Sequence, residues 1–147
     1  MTAALAPMGW TTFTLGIPRM SDLALVNDRV NARIVPTDAD TDRPWRIVMT
    51  DDADLTGACH EFAVTKRAEL LGLGWPASRL LLAEVKYDAA EDHMVLIAVG
   101  PDGAGHVLDN LRPDIVTWDE AGYALVRQQS AADPDIWQTN AELKVAA

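Results

Sequence analysis

From Ser21 onward, apolar residues recur three to four positions apart. Leu23, Val26, Val30 and Ile34 follow this spacing, with Asn27 and Asn31 between them. The pattern predicts a helix that Ser21 caps and that ends before Pro36. Residues 37–56 are rich in aspartate, carry Pro44 and hold one apolar run at 45–49, so a loop with at most one short strand is expected there. After Gly57, residues 59–71 set Ala63, Ala68, Leu70 and Leu71 among Glu61, Lys66, Arg67 and Glu69. This reads as a second helix, stopped by Gly72 and Gly74 and barred from continuing by Pro76. Three runs rich in Val, Leu and Ile follow at 80–87, 93–99 and 106–111, parted by the turn-forming stretches 88–92 and 100–105. They are predicted as strands joined by hairpins, with a further strand at 123–128. Helix, helix and then an antiparallel meander make an α+β fold. No repeat or low-complexity segment interrupts the order.

Composition narrows the picture. The chain has 147 residues, 49% of them hydrophobic, which suits one domain spanning 1–147, with residues 1–20 expected to be extended or poorly ordered. Twelve basic residues against 22 acidic ones give a net charge of −10, with the acids spread along the chain. Such a surface repels phosphate backbones and anionic headgroups, so neither nucleic acid nor a membrane is an expected partner. The uncharged residues 1–17 contain Pro7 and Gly9 and lack a basic start, so they read poorly as a signal peptide or a membrane span, and a cytoplasmic location is expected. A single cysteine, Cys59, excludes an internal disulfide and a CxxC zinc site.

The chemistry begins with that cysteine. Cys59 falls in the first turn of its helix, where free backbone N–H groups and the positive end of the macrodipole favour negative charge on sulfur. A nucleophilic thiol needs a base, and the base needs a group that orients it. His93 opens a strand that is apolar on both faces, a position out of character for a histidine. Asp109 lies between two leucines in the next strand, where a carboxylate is costly to bury unless an imidazole N–H meets it.

These residues resemble those of a known family, the bacterial transglutaminase-like cysteine proteinases. Gly57, Cys59, Phe62 and Ala63 match the family's glycine, nucleophile and first helical turn, and residues 70–76 match its helix ending. His93, Met94, Val95 and Leu96 are similar to its histidine strand, and residues 107–111 to its aspartate strand. Trp118, Gly122, Tyr123, Arg127, Gln128, Gln129, Ser130, Pro134 and Trp137 follow in family order, so the resemblance spans 26–137. It implies a papain-like transglutaminase core with N-terminal helices on an antiparallel sheet. It also implies a cysteine peptidase acting on a protein or peptide, with Cys59 as nucleophile, His93 as general base and Asp109 orienting the histidine.

The flanks of the cysteine depart from the family's Gly-Asp-Cys-Glu-Asp pattern, whose acids bind calcium in some members. Ala58 and His60 replace two of the acids and only Glu61 keeps a carboxylate, so no cofactor is expected, with calcium a possibility that the resemblance alone implies. Two other functions use the same fold: an inactive module that binds a peptide or protein in the cleft, and an acyltransferase that passes a glutamine acyl group to an amine. A zinc site from Cys59, His60, His93 and His106 is disfavoured, because adjacent residues rarely reach one tetrahedral ion together. Asp51, Asp52 and Asp54 lack the glycine and terminal glutamate of a calcium loop and read as a solvated acidic stretch. Trp45, Trp75, Trp118 and Trp137 are expected as core anchors, with Trp45 also a candidate to line the cleft.

Overall fold

In the computed structural model, residues 18–38, 44–88 and 91–146 are described. The expectation of an extended start therefore lies outside the described residues up to position 17, and from Met20 onward the chain is helical. Helix α1 (Met20–Arg33) buries Leu23, Val26 and Val30 as the periodicity predicts, with Ile34 buried just beyond it. Its start is held by Asp22 rather than Ser21, because the Asp22 carboxylate accepts the Arg19 N–H at 3.3 Å. The aspartate-rich loop has no strand at 45–49. Instead, two-residue strands at its ends, β1 (Val35–Pro36) and β2 (Thr56–Gly57), pair in parallel and close it. Inside the loop Val48 is fully buried, and its N–H donates to Thr65 Oγ1 at 2.9 Å, so the apolar run docks on the next helix. Arg46 ties the loop's far end, reaching Asp52 at 3.2 Å and the carbonyls of Asp54 and Thr56 at 3.0 and 3.1 Å.

Helix α2 (Cys59–Gly72) starts at the cysteine. Glu61 accepts the Ala58 N–H at 2.8 Å, satisfying one of the donors that a helix start leaves free. Gly57 lets this turn approach its neighbours: a Cβ there would lie 2.7 Å from Glu61 Cβ and 3.0 Å from Ile34 Cγ2.

A short 3-10 turn (Ala77–Arg79) leads into the sheet. Strands β3 (Leu80–Lys86), β4 (Asp92–Val99), β5 (Gly105–Leu108) and β6 (Val116–Thr117) form the expected antiparallel meander. The meander is only part of the sheet. Helix α3 (Trp118–Ala121) follows β6, and the chain then crosses over so that β7 (Ala124–Gln129) pairs with the outer side of β3. Strand β8 (Trp137–Thr139) then pairs with β7, giving the order β6-β5-β4-β3-β7-β8, and helix α4 (Asn140–Ala146) ends the described chain. The predicted strand at 106–111 stops at Leu108, so Asp109 leaves the sheet.

Strand β4 is covered on both faces. Leu23, Val26, Val30, Phe62 and Leu70 of the helices meet Leu82, Met94, Leu96 and Leu108 on one side. On the other, Ala83, Val85, Val95, Ile97 and Val107 are packed with Ala121. Each such side chain removed from water contributes about 1.5–3 kcal/mol, so α2 and β4 are held in fixed apposition. Of the tryptophans, Trp75 is a core anchor, whereas Trp45 is 41% exposed.

Candidate active site

Two adjacent strands and one helix start supply the three residues singled out from the sequence, and the fold brings all three together. Leu96 pairs with Leu108 across β4 and β5, so continuing that register sets Asp109 opposite Val95, two residues along from His93. From there His93 Nε2 meets Asp109 Oδ1 at 2.7 Å, with both side chains almost fully buried. The Cys59 thiol, at the start of α2, lies near enough to the same imidazole to act on its charge. Since Nε2 is engaged by Asp109, Nδ1 is the nitrogen available to sulfur.

Asp109 is held from several sides. The Leu111 N–H donates to Oδ1 at 2.9 Å, the Tyr123 hydroxyl donates to Oδ2, and the Arg112 guanidinium lies 3.7 Å from Oδ2. Asn31 of α1 donates to the Asp109 carbonyl at 3.1 Å, and Asn27 to the Pro113 carbonyl at 3.2 Å. The two polar positions on the apolar face of α1 therefore clamp the segment that carries the aspartate. The rings of Tyr87 and Tyr123 stand edge-on to His93 at 5.6 and 6.0 Å between centroids, which restricts how the imidazole can turn.

Electrostatics follow from these contacts. Burial works to lower the basicity of His93, but its hydrogen bonds with Asp109 and Cys59 and their charges outweigh this and push its pKa up to about 9. For Asp109, burial works upward and is outweighed by the hydrogen bonds from His93, Tyr123 and Leu111, so the carboxyl is held below its usual range. Burial and the adjacent carboxylate push the Tyr123 phenol up to about 12, which keeps it a donor. The cluster favours an imidazolium beside a carboxylate, with a thiol nearby.

The other candidates go elsewhere. His106 faces Asp102 at 3.2 Å, and His60 is stacked on Trp45 with ring centroids 4.8 Å apart. Among the described residues no group of three His, Cys, Asp or Glu side chains could hold a metal ion. Asp52 and Asp54 are engaged by Arg46, Met49 and Thr56 rather than gathered round one point. Trp45 thus stands beside the residue that follows Cys59, and edge-on to Trp137 at 6.3 Å. Tyr123, Asn31 and Tyr87 were not singled out as site residues from the sequence. Asn31 carried a signal there as an amide on an apolar helix face, and Tyr123 as one of the residues in family order.

Comparison with known proteins bears on the family and the fold. A family model of the bacterial transglutaminase-like cysteine proteinases (BTLCP) matches residues 3–144. The chain belongs to that family. It is thus a cysteine peptidase by descent, with the thiol hydrolase chemistry of that group. Its fold is similar to Legionella pneumophila LapG in calcium-bound form, at 23% identity and a TM-score of 0.70, covering 90% of this chain and 76% of that one. The EGTA-treated LapG matches at 24% identity and a TM-score of 0.65, over 82% and 68% of the two chains. A further LapG structure matches at 19% identity and a TM-score of 0.67, over 94% and 78%. None of the curated proteins compared with the chain matches it.

Proposed function

We propose that the protein cleaves a peptide or protein amide bond with Cys59 as nucleophile, His93 as general base and acid, and Asp109 as the orienting group. The thiolate attacks the carbonyl carbon, and the electron pair moves to the carbonyl oxygen. His93 then gives its Nδ1 proton to the leaving amine, and the C–N bond breaks to leave a thioester on Cys59. Water, deprotonated by the now neutral His93, attacks the thioester and releases the carboxylic acid and the free thiol. The Cys59 backbone N–H, among those that intrahelical bonding leaves free, is suited to stabilise the oxyanion. One observation carries the reading: His93 is hydrogen-bonded to a buried carboxylate, while the only cysteine lies near enough to act on its charge.

This activity is proposed to need no calcium, although LapG has a calcium-bound form. Calcium takes six to eight oxygen ligands. Beside Cys59, Ala58 offers no side-chain oxygen, His60 is covered by Trp45, and Glu61 is buried and caps its own helix. The residues present do not fit the ion.

The test uses the single thiol. Iodoacetamide alkylation below neutral pH should be fast in the wild type and lose its low-pH component in His93→Ala. Cys59→Ala should abolish thiol-dependent cleavage of a peptide library while keeping the melting temperature within a few degrees. Equal alkylation in both proteins at all pH values would refute the pairing and leave a peptide-binding module as the better description.

A further inference from the structure

Residues 44–49 have no strand partner among the described residues, yet their side chains alternate. Arg46 and Val48 turn inward, whereas Trp45, Ile47 and Met49 are exposed. The stretch is anchored from within: the Val48 N–H donates to Thr65 Oγ1 at 2.9 Å, Arg33 donates to the Val48 carbonyl at 3.0 Å, and Arg46 is tied to the carbonyls of Asp54 and Thr56. Trp45 is therefore held out on fixed backbone. Its indole lies on the His60 ring, with centroids 4.8 Å and planes 18° apart, and stands edge-on to Trp137 at 6.3 Å. Even so it is 41% exposed, a large apolar surface left to water beside the residue that follows the only cysteine. The cations around it are committed. The Arg127 guanidinium lies 4.7 Å over the Trp137 ring and is bidentate on Glu84 at 2.7 and 3.0 Å, and Arg46 is paired with Asp52 and Asp54. In a chain of net charge −10, the result is a neutral aromatic shelf.

We propose that Trp45, backed by His60 and Trp137, is a specificity-determining residue that receives a large apolar side chain, aromatic above all, of the peptide being cleaved. The inference rests on the peptidase reading above and names the substrate class of that same site. His60 follows Cys59 directly, so the stacked indole lies within about 12 Å of the Cys59 backbone. An extended peptide rises about 3.3 Å per residue, so the side chain that meets Trp45 belongs to one of about four residues beside the cleaved bond. Charge decides which side chain is accepted. A lysine or arginine would meet the guanidinium already seated on Trp137, and a carboxylate would be desolvated against two arginines whose charges are already paired. An aromatic ring instead adds a further stacked or edge-on contact to an existing cluster of three rings. Because the backbone that carries Trp45 is fixed in advance, little ordering remains to be done when the peptide arrives.

The test gives the full chain a library of short acetylated peptides in which each position in turn carries Phe, Leu, Ala, Lys or Glu, with cleavage read by mass spectrometry. At one position within about four residues of the cleaved bond, the wild type should favour Phe over Ala by about tenfold in kcat/KM and should disfavour Lys and Glu. Trp45→Ala should bring the Phe-to-Ala ratio close to one, and Trp45→Phe should keep most of it. A ratio that survives Trp45→Ala overturns the proposal, as does a wild-type preference for Lys or Glu. So does a Trp45→Ala protein that slows every peptide by the same factor, because the indole then only steadies the turn that carries Cys59. Calorimetric binding of the same peptides to Cys59→Ala separates this from failure of the peptidase reading. If Phe peptides bind that protein more tightly than Ala peptides, and adding Trp45→Ala removes the difference, the shelf stands even where the wild type cleaves nothing. If the wild type cleaves peptides with no side-chain preference, the peptidase reading stands and the shelf is lost. With neither cleavage nor selective binding, both are refuted.

Discussion

Replacing Lys66 with methionine removes a buried charge without opening a cavity, and its effect on stability can be worked out as a function of pH. Unfolded, the amine keeps its proton up to the ordinary pKa of 10.5; folded, it releases it at about 7. Between those values the unfolded chain binds more protons, so this group makes stability rise with pH. Over 3.5 units at 1.36 kcal/mol each, the rise is about 5 kcal/mol. His93 acts in the opposite sense. Its pKa goes from 6.5 to about 9 on folding, so its contribution is fully present below 6.5 and is lost as pH rises through 9, a change of about 3 kcal/mol. From pH 7 to 9 the two slopes nearly offset each other, and the wild type should show a flat profile. Lys66→Met should be more stable than wild type at pH 7, and its stability should then fall across that window because His93 alone remains. His93→Gln should show the reverse, rising with pH. Urea unfolding at half-unit pH steps, followed by circular dichroism, measures all three profiles. A constant offset between wild type and Lys66→Met from pH 7 to 10 would mean that the amine does not titrate in the folded state, and the reasoning would fail.

Three further outcomes are expected. Tyr123→Phe deletes a donor to a buried carboxylate and should cost about 1.5–3 kcal/mol in urea unfolding, with peptidase activity reduced rather than abolished because Leu111 still bonds Asp109; unchanged stability would show the hydroxyl to be idle. Gly57→Ala puts a Cβ 2.7 Å from Glu61 Cβ, which should destabilise by about 1–3 kcal/mol and slow Cys59 alkylation at low pH; a wild-type melting curve would show that the turn yields freely. Treatment with a calcium chelator should leave the melting temperature and the alkylation rate unchanged, and a clear drop in either would restore a metal to the site.

How much of this could be read from the chain depends on the range of each interaction. Helix α1 was legible in Leu23, Val26, Val30 and Ile34 because burial of one face imprints a local period. Strands β3 and β4 were legible because a strand covered on both faces is apolar throughout. Strands β6 and β8 have two and three residues, too few for any period, and the crossover that sets β7 beside β3 is a choice of partner that no local pattern encodes. In the site, Cys59, His93 and Asp109 stood out because each is chemically foreign to its surroundings. The end of β5 at Leu108 was missed because capture of the following segment by Asn27 and Asn31 acts from more than 75 residues away. Tyr123 was not singled out as a site residue for the same reason, since a tyrosine beside a strand is ordinary until its partner, Asp109, is known.

The proposed nucleophile and its proposed base belong to different layers. Cys59 opens a helix that lies on the sheet, whereas His93 is anchored in β4 and Asp109 just past the end of β5, so thiol and imidazole meet across a boundary held largely by side-chain packing. A hydrogen bond tolerates only a few tenths of an ångström of drift, whereas helices and strands survive when packing between them loosens. The chemistry is therefore a gauge of layer spacing: a protein slightly swollen by mild acid, denaturant or a core substitution would keep its helices and strands and fall silent. Phe62, Met94 and Leu96, which pack that boundary, therefore bear on turnover as well as on stability.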